Sequence, residues 1–215
     1  MRRMLFEKTG TGVWISHLDT MRLMQRAFRR AGVLLHHSQG YTPHAYVSML
    51  LPLSVGVESC CEIMEYELDS DLTITPAEMN AVLPQGVRIL AVYESARKAR
   101  ELLTLEAELT LEYDNGVPEG CAAALKALLE GETLFVEKRT KRGMEQTDIR
   151  PLLYGITIDQ RENALLLSCR VSAQNPALNP MLLVTAIETH LPQYKPDFAK
   201  CRRVEVLDSS GAVFR

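Results

Sequence analysis

The densest concentration of residues able to do chemistry lies between residues 16 and 44. It comprises Ser16-His17-Leu18-Asp19, then Arg22, Arg26, Arg29 and Arg30, then Ser38-Gln39-Gly40-Tyr41-Thr42-Pro43-His44. At 100° per helical residue the four arginines fall within an arc of about 100°. Each guanidinium can offer a planar pair of donors to phosphate oxygens, so a one-sided arginine stripe suits phosphate binding. The alternative is a solvated amphipathic face, which is the commoner role of charged helix stripes.

Histidines in the same stretch are candidates for catalysis. In a metal-independent ribonuclease, a general acid–base histidine needs a nearby nucleophile and a charge-stabilising cation, and His17 and His44 are the candidates. The first motif also has a simpler explanation, because Ser16 and Asp19 suit the start of a helix. The sequence predicts a pocket beside the arginines, lined by Ser16, His17, Asp19, Ser38, Gln39, Tyr41, His44 and Gly56.

A mixed zinc site is a weaker hypothesis. His17, Asp19 and His44 could join a thiol from Cys60 or Cys61, but these residues lack the local spacing of known zinc sites. The five cysteines contain no CxxC pair and no CxxxCxxC triplet. We therefore predict no metal and no cofactor on this chain. The odd cysteine count is a poor disulfide framework, and no apolar stretch of signal-peptide length opens the sequence, so we expect a cytoplasmic protein without a membrane span.

A second basic patch could also contact a phosphate backbone. It consists of Lys138, Arg139, Lys141, Arg142 and Arg150. A solvated loop tip explains the same residues equally well. Aromatic residues that could stack on bases are sparse near the first cluster, namely Trp14, Tyr41 and Tyr46. Trp14 immediately precedes the expected helix, and we expect it to be buried.

Composition describes an ordinary globular protein with an uneven charge distribution. Of the 215 residues, 47% are hydrophobic and 24% charged, which excludes a disordered chain and a disulfide-stapled miniprotein. Net charge is −3, yet residues 1–50 hold seven basic and only two acidic residues. This asymmetry favours an anionic partner for one face, although a small domain's charges can also fluctuate this much.

The elements that must position these residues follow from capping and periodicity. In the first half we predict a strand over 4–8, a helix from Ser16 to Gly32 and an extended stretch over 33–68 that ends in a strand over 61–68. A short helix from Thr75 to near Gly86 and a strand over 87–93 follow. The second half predicts strands over 103–113, 133–138, 164–171 and 203–207, a possible strand over 154–158 and helices over 118–130 and 180–191. Both halves give the order β-α-β-β-α-β. The sequence thus predicts an α+β protein of two ferredoxin-like units, 1–97 and 98–215.

The first motif and two later segments resemble a known bacterial family. Ser16-His17-Leu18-Asp19 through Gly32, then residues 38–44, then Pro52-Leu53-Ser54-Val55-Gly56-Val57-Glu58-Ser59 look like the radical-SAM-linked domain of unknown function. This family occurs fused to, or encoded beside, cobalamin-binding radical SAM proteins. Tyr41-Thr42 replaces the family's usual Phe-Asn, and Ala45-Tyr46 replaces Pro-Lys. The resemblance implies a radical SAM partner. Separately, the tandem order resembles the RAMP proteins of CRISPR systems in architecture only.

Three functions remain open at this stage. The first is a non-catalytic module that binds RNA, contacts phosphates through the α-helical arginines and presents the RNA to the radical SAM partner. The second is a protein–protein scaffold that docks onto that partner through the first helix. The third is a metal-independent endoribonuclease that uses His17 or His44.

Overall fold

The computed structural model of the chain describes residues 1–140 and 143–215. These residues form two compact units. The first comprises Met1–Ala99 together with Arg215, and the second comprises Arg100–Phe214. Both units combine antiparallel strands with helices, so the protein is a mixed α/β structure. In the described residues no helix is long and apolar enough to cross a membrane.

The first unit has the element order predicted from its sequence. Its elements are β1 Arg2–Lys8, α1 His17–Arg30, β2 Val47–Met49, β3 Val57–Tyr66, α2 Pro76–Asn80 and β4 Val87–Glu94. The strands lie in the order β4-β1-β3, and β2 pairs with the other side of β3. All of these pairings are antiparallel.

Local sequence signals explain where the two helices of the first unit begin. The Ser16 side chain accepts a hydrogen bond from the Asp19 amide and thereby caps α1, as predicted. Thr75 and Glu78 form a reciprocal capping box at α2, with Pro76 at its first position. Gly32 follows the end of α1 with φ +76°, a conformation that glycine adopts readily. Helix α2 ends at Asn80, well before the predicted end near Gly86.

The core of the first unit lies between its sheet and α1. Met4 and Phe6 of β1 alternate toward this core, as expected for a strand with one buried face. The inner face of α1 contributes Met24, Ala27 and Phe28. The rings of Phe28 and Tyr66 meet with centroids 4.9 Å apart. Burying this face directs the arginines of α1 toward solvent.

Strand register defines two ends of the first unit. Lys8 pairs with Ser59 at one end, and Arg2 pairs with Tyr66 at the other. Helix α1 starts shortly after Lys8, so its N-terminus lies at the Lys8 end. The segment that follows α1 rejoins the sheet at the opposite, Arg2 end, where Leu35 forms a β-bridge with Leu68. Since a helix of 14 residues is about 21 Å long, the two ends are well separated.

The second unit repeats the strand arrangement and adds a hairpin. Its elements are β5 Thr104–Glu112, α3 Cys121–Leu129, β6 Phe135–Thr140, β7 Gly143–Asp148, β8 Leu153–Gln160, β9 Ala164–Ser172, α4 Met181–His190 and β10 Phe198–Leu207. The sheet order is β10-β5-β9-β8, again antiparallel. Leucines of β5, α3, β9 and α4 fill the core.

The hairpin corrects the prediction for the second basic patch. The sequence predicted one strand followed by an irregular basic stretch, whereas β6 and β7 pair from Phe135–Asp148 onward. Most described side chains of this hairpin are exposed, so the strands lack the alternation that would mark them in the sequence. Strand β8 is also longer than the possible strand over 154–158.

Candidate nucleic-acid interface

The solvent-facing side of α1 carries a cationic surface. Arg22, Arg26, Arg29 and Arg30 are all exposed, while the opposite side of the helix packs into the core. The amphipathic spacing of the sequence therefore produces the predicted one-sided stripe. We call these four arginines the α1 arginine face. A shallow depression of about 480 Å³ lies against it, lined by Ile15, Asp19, Arg22, Leu23, Arg26 and Arg30.

One member of the arginine face is held by an acidic neighbour. Arg22 Nη1 donates to Asp19 Oδ1 at 2.9 Å, and Ser16 Oγ donates to Asp19 Oδ2 at 2.7 Å. The Ser16 hydrogen bond and then the Arg22 guanidinium lower the pKa of the Asp19 carboxyl below its usual value. Asp19 therefore stays ionised at neutral pH and offsets part of the charge of Arg22.

The other three arginines differ in whether a neighbouring group already binds their guanidinium. Arg30 Nη2 donates to the Val82 carbonyl oxygen at 2.8 Å, which fixes the end of its side chain. Arg26 and Arg29 make no hydrogen bond or ion pair with any residue that the structure describes. Two guanidinium groups one turn apart are thus available to an external anion.

Trp14 lies three residues before the first residue of α1 and is 70% exposed, contrary to the expected burial. The turn over Gly10–Trp14 buries Val13 instead. A close backbone approach fixes this turn, because a Cβ on Gly12 would come within 2.3 Å of the Gly86 carbonyl oxygen. The prediction failed because Gly86 is remote in sequence and only the fold brings it to Gly12.

Gly56 belongs to this end of the site. Its amide donates to the Val13 carbonyl oxygen at 2.9 Å, and a Cβ at Gly56 would meet Trp14 Cζ3 at 3.8 Å. Its φ of +82° is in the left-handed region. Gly56 thus supports the turn that presents Trp14.

His17 occupies the first position of α1, and its Nδ1 atom is buried without a hydrogen-bond partner. By helical spacing it lies on the opposite side of α1 from Arg22. Among the described residues, no nucleophile is hydrogen-bonded to this atom. His17 therefore does not share the surface of the arginine face.

The segment 38–44 lies at the far end of the unit, beyond the Leu35–Leu68 bridge. The Ser38 amide donates to the His44 carbonyl oxygen and the His44 amide to Ser38 Oγ, so the segment closes on itself as a loop. Among described residues, no hydrogen bond or ion pair joins it to Ser16, His17 or Asp19. The predicted common pocket is therefore divided between two ends of the unit. Its members in the loop are Ser38, Gln39, Tyr41 and His44.

The second basic patch is also only partly assembled. Lys138 is exposed on β6, and Arg139 pairs with Met144 across the hairpin. Lys141 and Arg142 lie outside the described residues. Arg150 Nε and Nη1 donate to the carbonyl oxygens of Gly131 and Leu153, at 2.9 and 2.7 Å. These bonds anchor the Arg150 guanidinium to two backbone carbonyl groups.

The residues proposed for zinc do not meet. His17 and His44 lie at opposite ends of the first unit. In the part of the chain that the structure describes, no group of three or more His, Cys, Asp or Glu residues is arranged to hold a metal ion.

Two buried cations were missed by the sequence analysis. Lys8 is fully buried, and its Nζ donates to the Ile15 carbonyl oxygen at 2.6 Å, which anchors the chain just before α1. Lys8 follows Met4 and Phe6 at a period of two, and this register was a usable signal. Arg3 is also fully buried and bonds to Glu65. Arg3 lies outside the two-residue period of Met4, Phe6 and Lys8, so this pattern did not indicate its burial.

Comparisons with solved structures place the fold among known architectures. The chain matches a protein in the crystal structure of a Cbf5-Nop10-Gar1 complex with a TM-score of 0.56 and 13% identity, over 95% of this chain and 48% of that one. It also matches the crystal structure of the archaeal box H/ACA sRNP Nop10-Cbf5 complex, with a TM-score of 0.50, 13% identity and coverage of 94% and 46%. The chain thus spans about half the length of these proteins, and the likeness concerns the fold alone.

Comparison at the sequence level gives a family without a described activity. No curated protein matches the sequence significantly. A family model for uncharacterised proteins conserved in bacteria matches residues 2–180, which is most of the chain and includes all of α1 and the loop that follows. The chain therefore belongs to DUF2344, a family of uncharacterised proteins conserved in bacteria.

Proposed function

We propose that this protein is a non-catalytic RNA-binding protein that contacts phosphates through the α1 arginine face. The observation that carries the proposal is the state of Arg26 and Arg29, which are exposed, one turn apart and without a partner among the described residues. Phosphate is the anion that best matches several separate guanidinium groups along one helix. Single-stranded and loop RNA displays its phosphates to such a surface.

Architecture gives secondary support. We assign both units to the ferredoxin-like class, the second with the β6–β7 hairpin inserted, because each follows the order β-α-β-β-α-β. The second solved neighbour belongs to an archaeal box H/ACA sRNP, a ribonucleoprotein. Fold does not determine function, so this likeness makes RNA a reasonable first ligand to test and nothing more.

The partner belongs to the same proposal. The resemblance of residues 16–59 to the radical-SAM-linked domain suggests that the bound RNA is presented to a radical SAM enzyme. A co-purification experiment with that enzyme tests the partner separately from RNA. If Arg22→Glu/Arg26→Glu abolishes co-purification while leaving RNA binding intact, the face is a protein-docking surface and the scaffold function replaces this one.

The endoribonuclease alternative receives no support from the site. His17 is turned away from the arginines and His44 lies at the far end of the unit. A histidine general acid–base needs a cation close to the scissile phosphate. Incubation of labelled RNA with the protein in chelator, followed by a gel, tests this directly, and cleavage lost in His17→Ala would overturn the proposal.

RNA binding itself is tested by fluorescence anisotropy with a labelled single strand of about 12 nucleotides. With three phosphate contacts on a single strand, the logarithm of the binding constant should fall with the logarithm of the salt concentration with a slope of about −2. Arg26→Glu/Arg29→Glu should abolish most of the binding and reduce the magnitude of this slope by about 1.4. The matched control is Lys126→Glu/Arg161→Glu, which makes the same charge change at exposed positions of the second unit.

The comparison of the two double variants decides the proposal. Loss of binding in the α1 variant alone supports a specific phosphate-binding face. Equal loss in both variants would show a dependence on net charge only, and no binding by the unaltered protein at low salt would reject RNA as the ligand.

A further inference from the structure

Trp14 is the one tryptophan of the sequence, and its side chain is 70% exposed. Tryptophan is usually well buried because it has a large apolar surface. An exposed tryptophan at a fixed position therefore points to a ligand. Leu18, which is 65% exposed, lies on the same helix face one turn before Arg22.

The backbone around Trp14 is held firmly on both sides. On one side of Trp14, the Val13 carbonyl oxygen accepts a hydrogen bond from the Gly56 amide. On the other side, the Ile15 carbonyl oxygen accepts one from the buried Lys8 ammonium. The close approach of the Gly12 and Gly86 backbones fixes the same turn. The indole edge lies against Gly56, which has no side chain to cover it. Trp14 is thus pre-positioned, and presenting it to a ligand costs little ordering entropy.

The position of Trp14 relative to the arginines identifies the kind of ligand. Trp14 precedes α1, which begins at His17, and Arg22 lies five residues into that helix, about 7.5 Å along its axis from His17. Recognition of single-stranded RNA combines cationic groups that follow the backbone with aromatic side chains that stack on unpaired bases. Asp19 lies between them, but Ser16 and Arg22 already bind its carboxylate.

We propose that Trp14 is a stacking platform for an unpaired base of single-stranded RNA whose phosphates lie on the α1 arginine face. This inference rests on the proposed function and specifies its substrate as single-stranded. A duplex keeps its bases stacked on each other and has none to offer to the indole. The site therefore distinguishes single-stranded from double-stranded RNA.

Because Trp14 is the sole tryptophan, its intrinsic fluorescence reports on this site alone. The experiment titrates the full chain with an unlabelled 12-nucleotide single strand and with the matching duplex, each also followed by anisotropy of a labelled copy. We expect saturable quenching of Trp14 by the single strand and little by the duplex. Trp14→Ala should weaken single-strand binding by roughly 5- to 100-fold, and Trp14→Phe should retain most of it.

Salt dependence separates stacking from phosphate contact. Trp14→Ala should leave the salt dependence of the binding constant unchanged, because no phosphate contact is lost. Arg26→Glu/Arg29→Glu should make this dependence shallower. RNA binding with unchanged Trp14 emission and undiminished affinity in Trp14→Ala would overturn the stacking inference and leave the proposed function standing. Equal quenching by the duplex would also overturn it. Absence of RNA binding by anisotropy would instead reject the proposed function.

Discussion

Asp19 and Arg22 form an ion pair of 2.9 Å on the same face of α1 that carries Arg26 and Arg29. The pair is exposed, so its contribution to folding is small. Its importance is electrostatic, because the carboxylate reduces the attraction of this face for an anion. Asp19 thereby weakens the attraction of the α1 arginine face for the phosphates of the proposed RNA ligand.

Substituting Asp19→Asn should increase RNA affinity. The amide keeps the size of the side chain and can still interact with Ser16, but it releases Arg22 and removes one negative charge. We expect affinity to rise by about two- to fivefold at low salt, and less at high salt. Anisotropy titrations against Asp159→Asn, an exposed site in the second unit, provide the control. An unchanged affinity would show that Arg22 does not contact the ligand.

The pH dependence of the same pair has a defined sign. Hydrogen bonding by Ser16 and the charge of Arg22 lower the pKa of Asp19 in the folded state. A carboxyl with a lowered pKa contributes its stabilisation above its unfolded pKa and loses it as pH falls through the folded value. Between pH 7 and 5, RNA affinity in the unaltered protein should therefore show no step from Asp19. A step in this range that Asp19→Asn removes would contradict the pKa direction.

A third prediction concerns the turn that presents Trp14. Gly12→Ala would place a Cβ within 2.3 Å of the Gly86 carbonyl oxygen, so the backbone must shift. We expect a loss of about 1–3 kcal/mol in the free energy of unfolding, measured by urea denaturation. Gly155→Ala is the control, since nothing lies within 4 Å of its Cβ position. Equal stability of the two variants would show that the Gly12–Gly86 approach is not tight in solution.

Local signals were sufficient to predict the helices of the first unit. Ser16 and Gly32 mark the ends of α1 through their immediate neighbours, and the Thr75–Glu78 box marks the start of α2 but not its end at Asn80. The arginine stripe also follows from helical spacing alone. These features depend on residues within one or two turns of each other, and that is the range over which sequence patterns determine conformation.

The parts of the site that depend on contacts between distant segments of the chain were not predictable from the sequence. Whether His44 lies near His17 depends on the β1–β3 register and on the end of the sheet at which the chain returns. The exposure of Trp14 depends on Gly86, which belongs to the approach to β4. Arg150 satisfies carbonyl groups brought close by the hairpin. Each outcome needs a tertiary contact that no local pattern encodes.

A fourth prediction concerns two buried thiols in the second unit. Burial raises the pKa of Cys169 to about 12 and that of Cys201 to about 11. Because the thiolate is the reactive form, both should resist alkylation in the folded protein at pH 8. Iodoacetamide labelling read by peptide mass spectrometry should show little modification of either until urea is added. Rapid labelling of Cys169 without denaturant would contradict its burial.

The last prediction concerns the buried Arg3–Glu65 pair, in which Arg3 is fully buried and Glu65 is 15% exposed at its side chain. Arg3 Nε and Nη2 donate to Glu65 Oε1 at 3.0 and 2.6 Å, and Nη1 donates to Ser95 Oγ. Arg3→Met leaves Glu65 without these donors and should cost about 3–5 kcal/mol in urea denaturation. Adding Glu65→Met should recover part of this loss, because no uncompensated charge then remains. If the double variant were as unstable as the two single losses combined, Arg3 and Glu65 would stabilise the unit independently of each other.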